Sequence, residues 1–135
     1  MQLPSITSGY LAVLALIYAT LGLRVAWLRR SNRTLFGDDG DLQLRSAIRA
    51  HAHFAEYVPI TALMVAMQEM SGAPPLRLHL LMAALPIGRL LHPLGMYAKP
   101  PTLRFQLGRI GGMFLTILVM IAGASQLLLR LWRTS

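Results

Sequence analysis

From residue 6 to residue 27 the chain reads ITSGYLAVLALIYATLGLRVAW, with no charged side chain before Arg24. At about 1.5 Å of rise per residue, a helix of that length crosses a hydrocarbon core of roughly 30 Å. A cleaved leader would instead show a basic start, an apolar run of about 7 to 15 residues and a small-residue cleavage site. Met1-Gln2-Leu3-Pro4 has no positive charge and the run is too long, so the segment is expected to span a membrane and stay.

Three further stretches read as helices on the same grounds: Leu44 to Met70, Leu76 to Met96, and Leu103 to Trp132. The breaks between them carry the strongest punctuators of regular structure. Gly37-Asp38-Asp39-Gly40-Asp41 is a polar loop, Ser71-Gly72-Ala73-Pro74-Pro75 a short turn, and Lys99-Pro100-Pro101 closes the third helix. With 135 residues, 55% of them hydrophobic, and a mean hydropathy of +0.53, the expected fold is an all-α, integral membrane four-helix bundle forming one domain, residues 1–135. A soluble domain is not expected.

Thirteen Lys and Arg against five Asp and Glu leave a formal charge of +8. In a soluble protein such a balance suggests nucleic acid. Here the arginines cluster at helix ends, where the positive-inside rule and anionic headgroups account for them, and no nucleic acid partner is expected. Arg24, Arg29, Arg30, Arg33, Arg45 and Arg49 surround the first connection, and Lys99, Arg104 and Arg109 the third, against Arg77, Arg130 and Arg133 on the other side. Both termini are therefore expected to be extracytoplasmic. Trp27 and Trp132 sit near helix ends, as interfacial anchors do. Without cysteine the chain has no disulfide and no thiol nucleophile of its own, so any sulfur chemistry needs a ligand that brings the sulfur.

The second helix contains RAHAHFAEYVP, residues 49–59. At about 100° per residue, Arg45, Arg49, His53 and Glu56 share one side while His51 points away. Ionisable groups in a membrane are costly and face a bundle interior or wet cavity with a partner. Two uses stay open: an Arg49 to Glu56 ion pair that locks helices together, or an anionic ligand held by arginine, with Glu56 receiving an ammonium or amide hydrogen. Arg89 and His92, one turn apart in GRLLH, residues 88–92, can join either arrangement, with Arg89 also able to pair Glu56 across the helices. Metal ligation is not expected: di-iron bundles use Glu-x-x-His on paired helices, whereas His53-x-x-Glu56 runs in the opposite order and occurs once. In helix four, Gly108, Gly112 and Thr116 form a small-residue stripe that permits close helix approach.

These residues resemble a known family, the membrane-associated proteins in eicosanoid and glutathione metabolism (MAPEG), in which the chain looks like a bacterial member similar to microsomal glutathione transferase and leukotriene-C synthase. Arg49-Ala-His-Ala-His-Phe-Ala-Glu56-Tyr57-Val-Pro59 is similar to the family's Arg-Ala-x-x-Asn-x-x-Glu-Tyr-x-Pro signature. Gly88-Arg89-Leu-Leu-His92 is similar to the family's third-helix segment, and Leu103-Arg104 to the start of its fourth helix. The resemblance implies a homotrimer with glutathione, a co-substrate, bound between subunits on the cytoplasmic side. It implies that Arg49, His53, Glu56, Tyr57, Arg89 and Tyr97 hold the tripeptide and that Arg104 steadies its thiolate, the nucleophilic form of sulfur. His53 stands where the family has asparagine, Met96 separates Gly95 from Tyr97, and Arg109 is the alternative to Arg104. Arg30, with Arg29 and Arg33, can reach either the ligand's carboxylates or lipid headgroups.

The expected activity is glutathione-dependent transfer to lipophilic electrophiles, or reduction of lipid hydroperoxides. The alternative is a non-catalytic lipid-binding or scaffold protein of the same fold. A small multidrug exporter would need a glutamate in the first helix, and residues 6–27 hold no acid.

Overall fold

The computed structural model describes residues 3–96 and 102–134, without the side chains of Pro93, Leu94, Met96, Arg104 and Thr134. Helix α1 spans Ser5–Ser31, α2 Leu42–Met70 and α3 Pro75–Met96. A short α4, Leu103–Phe105, runs through a π-helical turn, Gln106–Gly111, into α5, Gly112–Thr134, making one continuous fourth helix. Residues 5–31 and 106–133 are long and apolar enough to cross a membrane. The core helix of a soluble protein would be mostly buried, yet only 11% and 22% of their most apolar windows are. Leu16, Leu23 and Trp27 on α1, and Phe114, Leu118 and Ile121 on α5, point outward.

Local chemistry sets the ends. α1 continues past Trp27 to Ser31, with Arg29 and Arg30 in its last turn, where the negative end of the helix dipole favours cations. Arg29 then donates to the Leu35 carbonyl at 3.1 Å, tying down the loop beyond the helix. Asp41 caps α2 by accepting from the Leu44 N–H at 2.6 Å, so the helix starts at Leu42. Asp38 pairs with Arg45 and accepts from the Gly40 N–H at 3.2 Å. The Arg45 guanidinium, and then the Gly40 amide, hold its carboxyl below the usual aspartate range. A depressed carboxylate contributes order above its unfolded pKa and loses it as pH falls through the folded value. The loop around Gly37 to Asp41 is therefore expected to lose amide-exchange protection on acidification, an effect absent in Asp38→Asn. At the other end Gly72 adopts φ 77, which suits glycine, and Ala73 donates to the Gln68 carbonyl at 3.0 Å. Pro75 then opens α3 at a position that needs no N–H.

α1 packs on α2, α3 packs on α5 and the π turn, and α2 joins the two halves through α3. The core collects Leu14, Phe54, Val58, Val65, Leu78 and Met82, with Leu85 and Val119 behind. A second cluster of Leu28, Leu44 and Ala47 closes the loop end.

Glu69 sits at the C-terminal end of α2 and acts as a cap for another helix. Its carboxylate accepts from the Ile6 N–H at 2.8 Å, the Thr7 N–H at 2.8 Å and the Thr7 hydroxyl at 2.7 Å. Thr7 is completely buried. Removing a charged acceptor from buried donors costs about 1.5 to 3 kcal/mol. Glu69→Ala should therefore lower the melting temperature in detergent, and an unchanged melt would mean that the α1 amides find water instead.

Backbone approach joins α3 to the fourth helix. A Cβ on Gly108 would lie 2.5 Å from the Gly95 nitrogen and 2.6 Å from its Cα, and one on Gly112 would lie 2.7 Å from the Gly88 carbonyl oxygen. The small-residue stripe read in the sequence thus serves an interface inside the subunit. The π turn falls at this crossing, and such turns are frequent at functional sites.

Candidate functional site

Alternation on α2 divides the polar stripe between two surroundings. Arg49 and Glu56 are exposed, and neither forms an ion pair within 4 Å among the described residues, so a locking Arg49–Glu56 pair is not made. His53, only about 60° from Glu56 on a helical wheel, turns inward instead. His51 faces α1, its ring stacked on Tyr18 at 4.4 Å between centroids.

His53 meets α3. Its Nδ1 lies 2.9 Å from His92 Nε2, and His92 Nδ1 lies 3.2 Å from the Arg109 carbonyl oxygen. A carbonyl only accepts, so with both rings neutral the His92 proton sits on Nδ1, His92 accepts at Nε2, and His53 donates through Nδ1. His53 Nε2 remains as an acceptor. The chain of bonds runs from α2 through α3 to the π turn.

Arg89 lies beneath this pair, 2% exposed. One NH group donates to the His53 carbonyl at 3.2 Å, another donates to the Thr116 hydroxyl, and the guanidinium stands 5.7 Å from the centre of the Tyr57 ring. Its Nε has no acceptor among the described residues. Arg89 meets no carboxylate within 4 Å among the described residues, and the cross-helix pair with Glu56 is not formed. Thr116 in turn donates to the Gly112 carbonyl at 3.0 Å, so the glycine crossing and the arginine share one hydroxyl. Because a buried charge without a counter-ion is costly, Arg89→Met should melt within about 1 kcal/mol of the parent or above it. A much larger loss would show that the fold depends on the guanidinium.

The histidine pair borders a hollow of about 400 Å³ walled by Arg109, Ile110, Met113, Phe114 and Ile117. Arg109 is exposed, with its guanidinium 5.4 Å from the Phe105 ring centre. A second concavity, about 370 Å³, lies between the first loop and α2, against Arg45 and Arg49. Arg30 is exposed near the same end. Tyr97 and the side chain of Arg104 lie outside the described residues.

Of the residues proposed from sequence, the structure brings His53, Tyr57 and Arg89 together, with Arg49 and Glu56 on the adjoining outer surface. It adds His92 and Thr116 to the same network. His92 was visible in the sequence beside Arg89; Thr116 carried no signal beyond its place in the small-residue stripe.

A family profile described as MAPEG family matches residues 7–125. The inner membrane protein YecN of Escherichia coli strain K12 is 33% identical over 94 residues, covering 70% of this chain and 72% of YecN. YecN of the O6:H1 strain gives the same figures. No solved structure matches.

Proposed function

The chain belongs to the MAPEG family and is a helical membrane protein, and from that membership we propose that it activates the thiol of glutathione for reaction with lipophilic substrates. The observation that carries this reading is the exposure of Arg49 and Glu56 on one face of α2, two turns apart, unpaired with each other and with no other ion-pair partner among the described residues. Charges on an outer face of a membrane helix call for a covering group. A tripeptide with carboxylates and an ammonium, held against a neighbouring subunit of a homotrimer, supplies both signs.

In this scheme Arg49 binds a carboxylate and Glu56 the ammonium or an amide, while Tyr57 and His53 line the site. Arg104, or Arg109 in its place, favours thiolate over thiol; the proton leaves to solvent and the sulfur attacks. With an electrophile, a carbon–sulfur bond forms as the leaving group departs with its electron pair. With a hydroperoxide, two glutathiones are oxidised to the disulfide as the peroxide is reduced to alcohol and water. The apolar wall of Met113, Phe114 and Ile117 offers a surface for the lipophilic partner, which enters laterally between the first and fourth helices of adjacent subunits. The arginine-rich end faces the cytoplasm, and both termini face outward from an inner membrane.

Titration of the purified protein with glutathione tests this: thiolate absorbance in the ultraviolet is expected, and its loss in Arg104→Ala but not Arg109→Ala would assign the sulfur to Arg104. Absence of thiolate in the parent protein would overturn the scheme. A non-catalytic, lipid-binding role is the second reading, favoured by His53 in the family's asparagine position. Calorimetry separates them, since that role predicts heat from fatty acid and none from glutathione.

A further inference from the structure

At the end of the bundle away from Arg49, where the α2–α3 turn meets the end of α5, lies a hollow of about 290 Å³ lined by Gln68, Arg77, Gln126, Leu129, Arg130 and Arg133. Three guanidinium groups border it, and no carboxylate of the described residues comes within 4 Å of Arg77 or Arg133. Arg130 is anchored across the hollow by the Ser71 carbonyl. The first turn of α3, which begins here, contains no acid to offset its positive dipole end.

The hollow also has an acceptor side. Gln68 is 3% exposed, and its amide nitrogen donates to the Gly123 carbonyl at 3.1 Å. That bond orients the amide, and among the described residues it leaves the buried Oε1 without a donor. Gln126 Oε1 is buried and likewise lacks a donor among the described residues. Buried acceptors are rarely left unpaired. A ligand that satisfies the site must therefore offer anionic oxygens to arginine and an N–H or O–H to the glutamines.

We propose that this hollow binds a phosphate ester that also carries a hydrogen-bond donor, namely the headgroup of a phospholipid such as phosphatidylethanolamine or phosphatidylglycerol. The phosphate lies among Arg77, Arg130 and Arg133, and the ammonium or glycerol hydroxyl turns toward Gln68 and Gln126. The location fits a lipid source: exposed Trp132 and Leu129 adjoin the arginines, at the level where aromatic residues meet the membrane surface. The site is separate from Arg49 and does not depend on glutathione chemistry.

Native mass spectrometry of the detergent-purified protein with added phosphatidylethanolamine, phosphatidylglycerol or phosphatidylcholine tests the assignment. Phosphatidylcholine has the phosphate but no donor, so its retention should be several-fold weaker than that of the other two. Arg77→Gln and Arg133→Gln should each weaken phosphatidylethanolamine retention about fivefold, with unchanged melting in lipid-free detergent. Equal retention of the three lipids, or retention insensitive to both substitutions, would overturn the proposal. Protection from melting by inorganic phosphate alone, with no lipid retained, would overturn the lipid assignment and identify a soluble phosphate as the ligand.

Discussion

Gly108→Leu should prevent the fourth helix from closing onto α3, so that the protein is recovered in low yield and melts well below the parent. Even a single added carbon at this position would meet the Gly95 nitrogen and Cα, and the Leu91 carbonyl at 2.9 Å. These are backbone atoms, which cannot swing aside as a flexible side chain does. Overpacking a core typically costs about 1 to 3 kcal/mol, and here relief requires separating two helices, so the loss belongs at the upper end or beyond. Against a total stability of about 5 to 15 kcal/mol that is a large share. Gly111→Ala is the internal comparison: an added carbon there meets only the Gln106 carbonyl oxygen, at 4.0 Å, and should be tolerated. Equal melting of the two variants would mean that the crossing is looser than the structure has it. A displaced crossing also moves the Arg109 carbonyl away from His92 and Thr116 away from Arg89, so disruption at Gly108 should reach the polar network.

Arg49→Ala should weaken glutathione binding by about 30- to 150-fold, the equivalent of losing a charge-assisted pair worth roughly 2 to 3 kcal/mol. Because Arg49 is exposed and forms no ion pair among the described residues, the same substitution should leave the melt of the ligand-free subunit almost unchanged. That combination distinguishes a ligand-holding arginine from a structural one. Arg49→Lys should recover little, since an ammonium cannot offer the planar fork that matches a carboxylate. Unaltered calorimetric affinity in Arg49→Ala would remove the support on which the proposed function rests, and would do so without bearing on the lipid-headgroup hollow at the opposite end.

The helical membrane architecture was legible along the chain. An uninterrupted apolar run needs neighbours only to be helical, and Gly, Pro and Asp at the breaks act within a few residues of themselves, so residues 37–41 and 71–75 predicted their turns. The signature from Arg49 to Pro59 likewise pointed to the family, because it depends on residue type and spacing along one helix. Relations across helices could not be read there. A helical wheel puts His53 beside Glu56, yet the packing of α3 draws His53 inward to His92 and leaves Glu56 outside. Glu69 carried no signal in the sequence, and it caps α1, some 60 residues away along the chain. Arg89 found a carbonyl, a hydroxyl and an aromatic face in place of an acid. Each of these outcomes turns on how closely two backbones approach and which side chain then fills the gap, and spacing along a single helix carries no record of that distance.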